Sequence, residues 1–193
     1  MKTQAVKRIV AIMAGALLLN IFCAYAETAQ EDYDQGVKWL DTGVGQDAVD
    51  SFTKAIALKP DYLDAYYNRG VAYCMLLVDF EKAIADFTVV IKADPKNAKA
   101  YNERGLAYSC TGGSALALAD YNKAIEVDPN YPKSYTNRAI SYAARKDYDK
   151  SWQDVNKAIS LGCRVTDDSV EKDECWIGKT FVDRLKKISG RDK

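Results

Sequence analysis

A motif recurs four times along the chain at a spacing close to one helical hairpin, and its small-residue slot reads Gly36, Gly70, Gly105, Ala139, in steps of 34, 35 and 34 residues. Self-similarity at a fixed period of this size marks stacked helix pairs, each of which buries its apolar face only against its neighbours. Further slots keep the beat: Trp39, Tyr73, Tyr108, Tyr142; Ala48, Ala83, Ala117, Ser151; Phe52, Phe87, Tyr121, Val155; Ala55, Val90, Ala124, Ala158; and Pro60, Pro95, Pro129, Cys163. Within 64–76, Tyr66, Gly70 and Tyr73 fall at i, i+4, i+7 and share one helical stripe, and Ala83, Phe87 and Val90 do the same in the next segment. Lys59-Pro60-Asp61, Asp94-Pro95-Lys96 and Asp128-Pro129-Asn130 punctuate the hairpins, since proline disfavours helix at the residue before it and lacks a backbone donor.

These residues resemble the tetratricopeptide repeat, most closely in Tyr66-Tyr67-Asn68-Arg69-Gly70-Val71-Ala72-Tyr73 and in Ala119-Asp120-Tyr121-Asn122-Lys123-Ala124-Ile125. The resemblance covers roughly 29–163 and implies an all-α, right-handed α-solenoid of four hairpins, at about 29–62, 63–97, 98–131 and 132–163, with a capping helix in 164–193. The chain departs from the pattern in three places. Repeat one has Asp32 where the others have Tyr66, Tyr101 and Tyr135, repeat two carries one extra residue between Tyr73 and Ala83, and repeat four ends in Leu161-Gly162-Cys163 without proline. The first and last departures suit terminal units. Beyond Cys163 the periodicity stops; 164–172 reads as a polar link, and Phe181, Val182, Leu185 and Ile188 form an apolar stripe behind a helix start at Thr180.

The N-terminus has a different character. Lys2, Lys7 and Arg8 precede an apolar run over 9–22, and Ala24-Tyr25-Ala26 matches a signal-peptidase site, so residues 1–26 are expected to be a cleaved signal, with an uncleaved anchor as the alternative. Export to a periplasm or to the outside is the resulting expectation, with no membrane attachment after cleavage. In the whole chain 27 basic residues balance 27 acidic ones; removal of the three basic residues of the signal leaves 24 against 27. No basic stripe appears, which argues against nucleic acid as a partner.

Cys23 leaves with the signal, and the remaining Cys74, Cys110, Cys163 and Cys175 are even in number, which in an oxidising compartment suggests two disulfides. Three connectivities are possible. Register favours Cys74–Cys110, near the ends of the first helices of adjacent repeats, and Cys163–Cys175, flanking the tail; the alternatives are that Cys74 and Cys110 are small packing thiols, or that all four bind zinc. Arg69, Arg104 and Arg138 precede the small-residue slot, while Asp86, Asp120 and Asp154 recur in the second helices; repeat one lacks both, with Gln35 and Ser51. Joint presence and joint absence suggest the pairs Arg69–Asp86, Arg104–Asp120 and Arg138–Asp154, with independent surface charges as the alternative.

The chain contains no histidine. That removes the usual general base and the commonest metal ligand, and with them the Ser-His-Asp, Cys-His and zinc-hydrolase constellations. The glycine pairs at Gly43/Gly45 and Gly112/Gly113 lack the downstream lysine of a phosphate loop. No catalytic residue, cofactor or metal site is assigned. The family resemblance implies instead a groove lined by the first helices: Tyr33, Asp34, Val37 and Asp41; Tyr67, Asn68, Val71 and Met75; Asn102, Glu103, Leu106 and Cys110; Thr136, Asn137, Ile140 and Ala144. An aliphatic row flanked by amides and tyrosines suits an extended peptide or a helix, unless the aliphatics only fill space between adjacent helices. Family members that clamp a chaperone's C-terminal carboxylate need cations at positions where this chain has Tyr33 and Glu103. The expectation is an exported, non-catalytic scaffold for a protein or peptide. The alternative is a secreted or membrane-tethered module for glycan or peptidoglycan, using Trp39, Tyr67 and the asparagines.

Overall fold

A computed structural model describes residues 28–166 and 176–190. The expected signal and Cys175 lie outside the described residues. The chain divides into two compact units, one ending at Val78 and one beginning at Asp79.

In the first unit α1 (28–42) and α2 (Gly45–Leu58) are followed by α3 (Leu63–Ala72). Its core is Ala48, Val49, Phe52, Ala55, Tyr62, Ala65 and Ala72, with Tyr33, Val37 and Trp39 packed against it. The recurring glycine has a direct cause here: a Cβ on Gly36 would stand 2.6 Å from Phe52 Cε1. Only a residue without a side chain lets the ring lie against the α1 backbone. The extra residue of repeat two is absorbed inside the helix rather than in the turn. The α3 helix widens into a π-helix over Tyr73–Leu77, closed by the Val78 N–H donating to the Tyr73 carbonyl, and Val78 then adopts φ 55°. A single inserted residue in a helix is commonly accommodated in this way.

The second unit contains α4 (Phe80–Ala93), α5 (Ala98–Cys110), α6 (Ser114–Val127), α7 (Pro132–Ala144) and α8 (Tyr148–Ser160). Side-chain caps start three of them: Asp79 accepts from Lys82 N, Asn97 from Ala100 N and Asp147 from Lys150 N. Each satisfies a backbone donor that has no intrahelical partner. Pro132 occupies the first turn of α7, where its missing N–H costs nothing. α5 packs on α6 and α7 on α8 as antiparallel hairpins, and α5 also lies beside α7. In the α5–α6 hairpin a Cβ on Gly105 would stand 2.7 Å from Tyr121 Cε1. In α7–α8 the slot holds Ala139 and the facing residue is Val155, both fully buried.

The segment after α8 is not a plain link. Arg164–Thr166 (β1) pairs in parallel with Trp176–Gly178 (β2), Val165 opposite Ile177. The strand leads directly into α9 (Lys179–Ser189), which ends at Gly190 with φ 69°. Ile177, Val182 and Leu185 join Tyr135, Ala139, Val155, Ala158 and Cys163 in one buried cluster. Burying a side chain of this size contributes about 1.5–3 kcal/mol, so Leu185→Asp would detach α9. Among the described residues no helix is long and apolar enough to cross a membrane.

Candidate functional site

The arginines of the repeats reveal what the polar slots do. In α5, Arg104 Nε and Nη2 donate to Asp120 Oδ2 and Oδ1, both at 2.8 Å, and in α7, Arg138 makes the same two bonds to Asp154 at 2.7 Å. The side chains are nearly enclosed, 17% and 9% exposed in one pair and 18% and 8% in the other. Bidentate geometry with little solvent makes these stronger than ordinary surface pairs, and the bonded carboxylate pushes each guanidinium pKa further up.

Two features of these arginines have no signature in the repeat pattern. Nη1 of each reaches back 16 residues to the preceding repeat: Arg104 to Thr88 Oγ1 at 3.1 Å and Arg138 to Asn122 Oδ1 at 2.6 Å. Each guanidinium also lies between two tyrosines three residues before and four after, Tyr101 and Tyr108 at 5.7 and 5.8 Å, Tyr135 and Tyr142 at 5.6 and 5.8 Å. One arginine therefore ties its own hairpin, joins it to the one before, and gives two tyrosine slots their purpose through cation–π contact. In the first unit Arg69 donates to Thr53 Oγ1 at 3.0 Å and lies over Tyr66, while Asp86 is buried in α4 of the second unit. Asp32 at the tyrosine slot of repeat one now falls into place beside Gln35 and Ser51: without the arginine, neither its lid nor its counter-ion is needed.

The expected groove residues are distributed unevenly. In the second unit Asn137 Nδ2 donates to Asn102 Oδ1 at 3.1 Å, and Asn102 Nδ2 donates to Glu103 Oε1 at 3.0 Å, forming a ladder from α7 to α5. Asn102 is 1% exposed and Thr136 9%, so neither faces a ligand: Asn102 bonds across to α7 and Thr136 lies against Cys163. Leu106 and Asn137 are half-buried, and Ile140 is 50% exposed. Glu103 is half-buried too; loss of water pushes its carboxyl pKa up, against the bond from Asn102 and the charge of Lys133, which lower it. In the first unit Asn68 Nδ2 donates to the Tyr33 hydroxyl at 2.8 Å, and the Tyr33 ring stacks on Tyr62 with centroids 4.9 Å apart. Asp34 is exposed and accepts from Gln30, whereas Val37, Tyr67 and Val71 are half-buried.

The cysteine expectation needs correction. Cys74 and Cys110 are thiols, not a disulfide. Their separation of 36 residues is one more than the local repeat of 35, so the counterpart of Cys110 is Met75 and that of Cys74 is Ser109. The two cysteines therefore do not occupy equivalent positions of their repeats, which removes the register argument for pairing them. Cys163 is disulfide-bonded and buried, with Thr136 Oγ1 3.6 Å from its sulfur; the partner expected for it, Cys175, lies outside the described residues. No group of three or more metal-ligating side chains occurs among the described residues.

Sequence profiles described as tetratricopeptide or TPR repeats match residues 46–76, 63–97, 98–131 and 120–153. No curated protein sequence matches the chain. Among solved structures it is similar to a crystal structure of MamA, at 25% identity and a TM-score of 0.65 over 74% of this chain and 82% of that one. It is similar also to the TPR domain of Arabidopsis OM64, at 26% identity and a TM-score of 0.60 over 62% and 98%. The first TPR of Spaghetti (RPAP3) bound to the HSP90 peptide SRMEEVD gives 25% identity and a TM-score of 0.60 over 63% and 95%. With the repeat profiles spanning most of α2 to α8 and the hairpins built around the matching slots, the chain belongs to the tetratricopeptide repeat family, whose fold is a scaffold for protein–protein interaction.

Proposed function

We propose that this protein is an exported, non-catalytic scaffold that binds a protein or peptide along the exposed face of its first helices. The observation that carries this reading is the division of labour in the second unit. Arginines, aspartates and tyrosines hold the hairpins, Asn102 and Asn137 join α5 to α7, and Leu106 and Ile140 remain partly open beside them. Partly exposed aliphatics beside the half-buried amide of Asn137 are the chemistry of a peptide groove. Support also comes from the similar TPR of Spaghetti, which is bound to a peptide. Glu103 would repel the acidic end of such a peptide, so this chain's ligand differs in charge at that point.

Export rests on the charged start, apolar run and Ala24-Tyr25-Ala26 of the first 26 residues, and a cell-envelope location follows if the source is bacterial. The tyrosines at Tyr101, Tyr108, Tyr135 and Tyr142 cover arginines and Trp39 packs on a core, which leaves the sugar-stacking alternative little aromatic surface. Crosslinking pull-down from the native envelope with the chain and its Val71→Glu, Leu106→Glu variant tests the reading. Loss of one specific protein in the variant is expected; unchanged capture, or recovery of a glycan instead, would refute it.

A further inference from the structure

A cavity of about 310 Å³ opens between α7, α8 and α9, lined by Ile140, Ala144, Tyr148, Phe181, Leu185 and Ile188. Its origin is local. At the end of α7 repeat four has Ala143 and Ala144 where repeat two has Cys74 and Met75, so the short methyls leave room that α9 roofs without filling. Ile140 and Ile188 stand half-open on it, at 50% and 48% exposure. Among the described residues Arg184 is the only charged member of the lining, and it makes no hydrogen bond or ion pair with any of them. The same helix carries Lys179, Lys186 and Lys187 against the single carboxylate of Asp183. An apolar recess of this volume is the size that accepts one buried side chain of a partner. The surplus positive charge on α9 selects what stands beside that side chain.

We propose that this recess takes an aromatic or aliphatic anchor from an acidic segment of the partner protein, with Arg184 pairing with a carboxylate side chain next to the anchor. The proposal rests on the protein-binding reading above and adds a second contact point with a charge preference. Ile140 and Ala144 belong to both surfaces, so a peptide leaving the α5–α7 face runs into the recess. Glu103 on α5 opposes acidic groups there, and Arg184 accepts them at the α9 end. The segment is therefore acidic on one side of its anchor.

The probe is a short fluorescein-labelled peptide with one phenylalanine flanked by glutamates, with an alanine-for-phenylalanine control and a lysine-flanked control. Fluorescence anisotropy with the full mature chain should show saturable binding of the first alone. Arg184→Glu should weaken it by roughly tenfold, because the reversal replaces an attraction at the rim with a repulsion. Ile188→Glu should abolish it, with circular dichroism confirming that α9 stays folded; should that variant unfold, Arg184→Glu carries the test. Amide chemical shifts should move at Phe181, Arg184 and Ile188. Equal binding of the alanine control, or Arg184→Glu without effect, would overturn the proposal. So would binding to phosphatidylglycerol vesicles in place of the peptide. Shifts confined to Leu106 and Asn137 would overturn it too, while leaving the groove reading standing.

Discussion

The α5–α6 and α7–α8 hairpins of the second unit solve one packing problem twice, with different residues. In the first, Gly105 admits the ring of Tyr121; in the second, Ala139 faces Val155, and methyl and smaller side chain together fill the same space. The charged clamp does not change: Arg104–Asp120 and Arg138–Asp154 share geometry to within 0.1 Å, and each arginine sits between two tyrosines. The apolar slot is a matched pair whose members vary together, whereas the clamp is fixed because a bidentate fork tolerates one geometry. The hairpin turns differ as well. Gly112 takes φ 81°, and the corresponding Lys146 takes φ 62° in a region that a side chain disfavours.

The clamp should give the largest effects. Asp120→Ala or Asp154→Ala strands a largely enclosed guanidinium, and each should cost about 2–3 kcal/mol in denaturant unfolding, below the figure for a fully buried pair because some water reaches these. Equal losses in the two hairpins are expected; a loss in one alone would break the equivalence drawn above. Next comes the slot. Gly105→Ala should cost about 1–3 kcal/mol, since its methyl meets the Tyr121 ring, whereas Ala139→Gly should cost about 1 kcal/mol through helix propensity. Tyr121→Val added to Gly105→Ala should cost less than the two separate changes summed, a coupling that a cycle of thermal melts would measure.

Smaller still is the turn. Lys146→Gly should raise stability by about 0.5–1 kcal/mol, and Gly112→Lys should lower it by a similar amount. The smallest difference concerns Glu103, which has no acidic counterpart at Asn137. Because its folded pKa is raised above the unfolded value, the penalty for its charge is full above the folded pKa and disappears below the unfolded one. Glu103→Gln keeps an acceptor for Asn102 and should stabilise near neutral pH. That gain should fade as pH falls through the raised pKa toward the ordinary carboxylate range. A gain independent of pH would assign the effect to something other than charge.

Much of this was legible in the sequence, and for identifiable reasons. Slots that touch inside one hairpin are separated by a constant number of residues, so Gly105–Tyr121 and Arg104–Asp120 announce themselves by register. The hydrogen bonds to Thr88 and Asn122 were hidden because the acceptors differ in residue type while sharing only a spacing. The tyrosine lids were visible as conspicuous residues, but helical stripes do not distinguish packing from cation–π contact. In repeat two the extra residue was plain, yet whether it swells a loop or a helix depends on packing around Tyr73–Leu77. β1 and β2 are three residues each and pair across a gap, too short for any periodic signal. The Cys74–Cys110 pairing failed because the two cysteines stand one residue apart in repeat register, whereas the partner expected for Cys163 lies outside the described residues. For the groove, the stripe placed Asn102 and Thr136 on the right helices, but only packing shows that both are buried.

The most direct test of the central claim separates holding the fold from binding a partner. Asp120→Ala and Leu106→Glu are made in the chain, and each is measured by thermal melting and by crosslinked partner capture. Leu106→Glu should abolish capture while changing stability by less than about 1 kcal/mol, the range of substitutions outside a core. Should Leu106→Glu unfold the chain as Asp120→Ala weakens it, or leave capture intact, the first-helix face would be filler and the account of this protein as a peptide-binding scaffold would be contradicted.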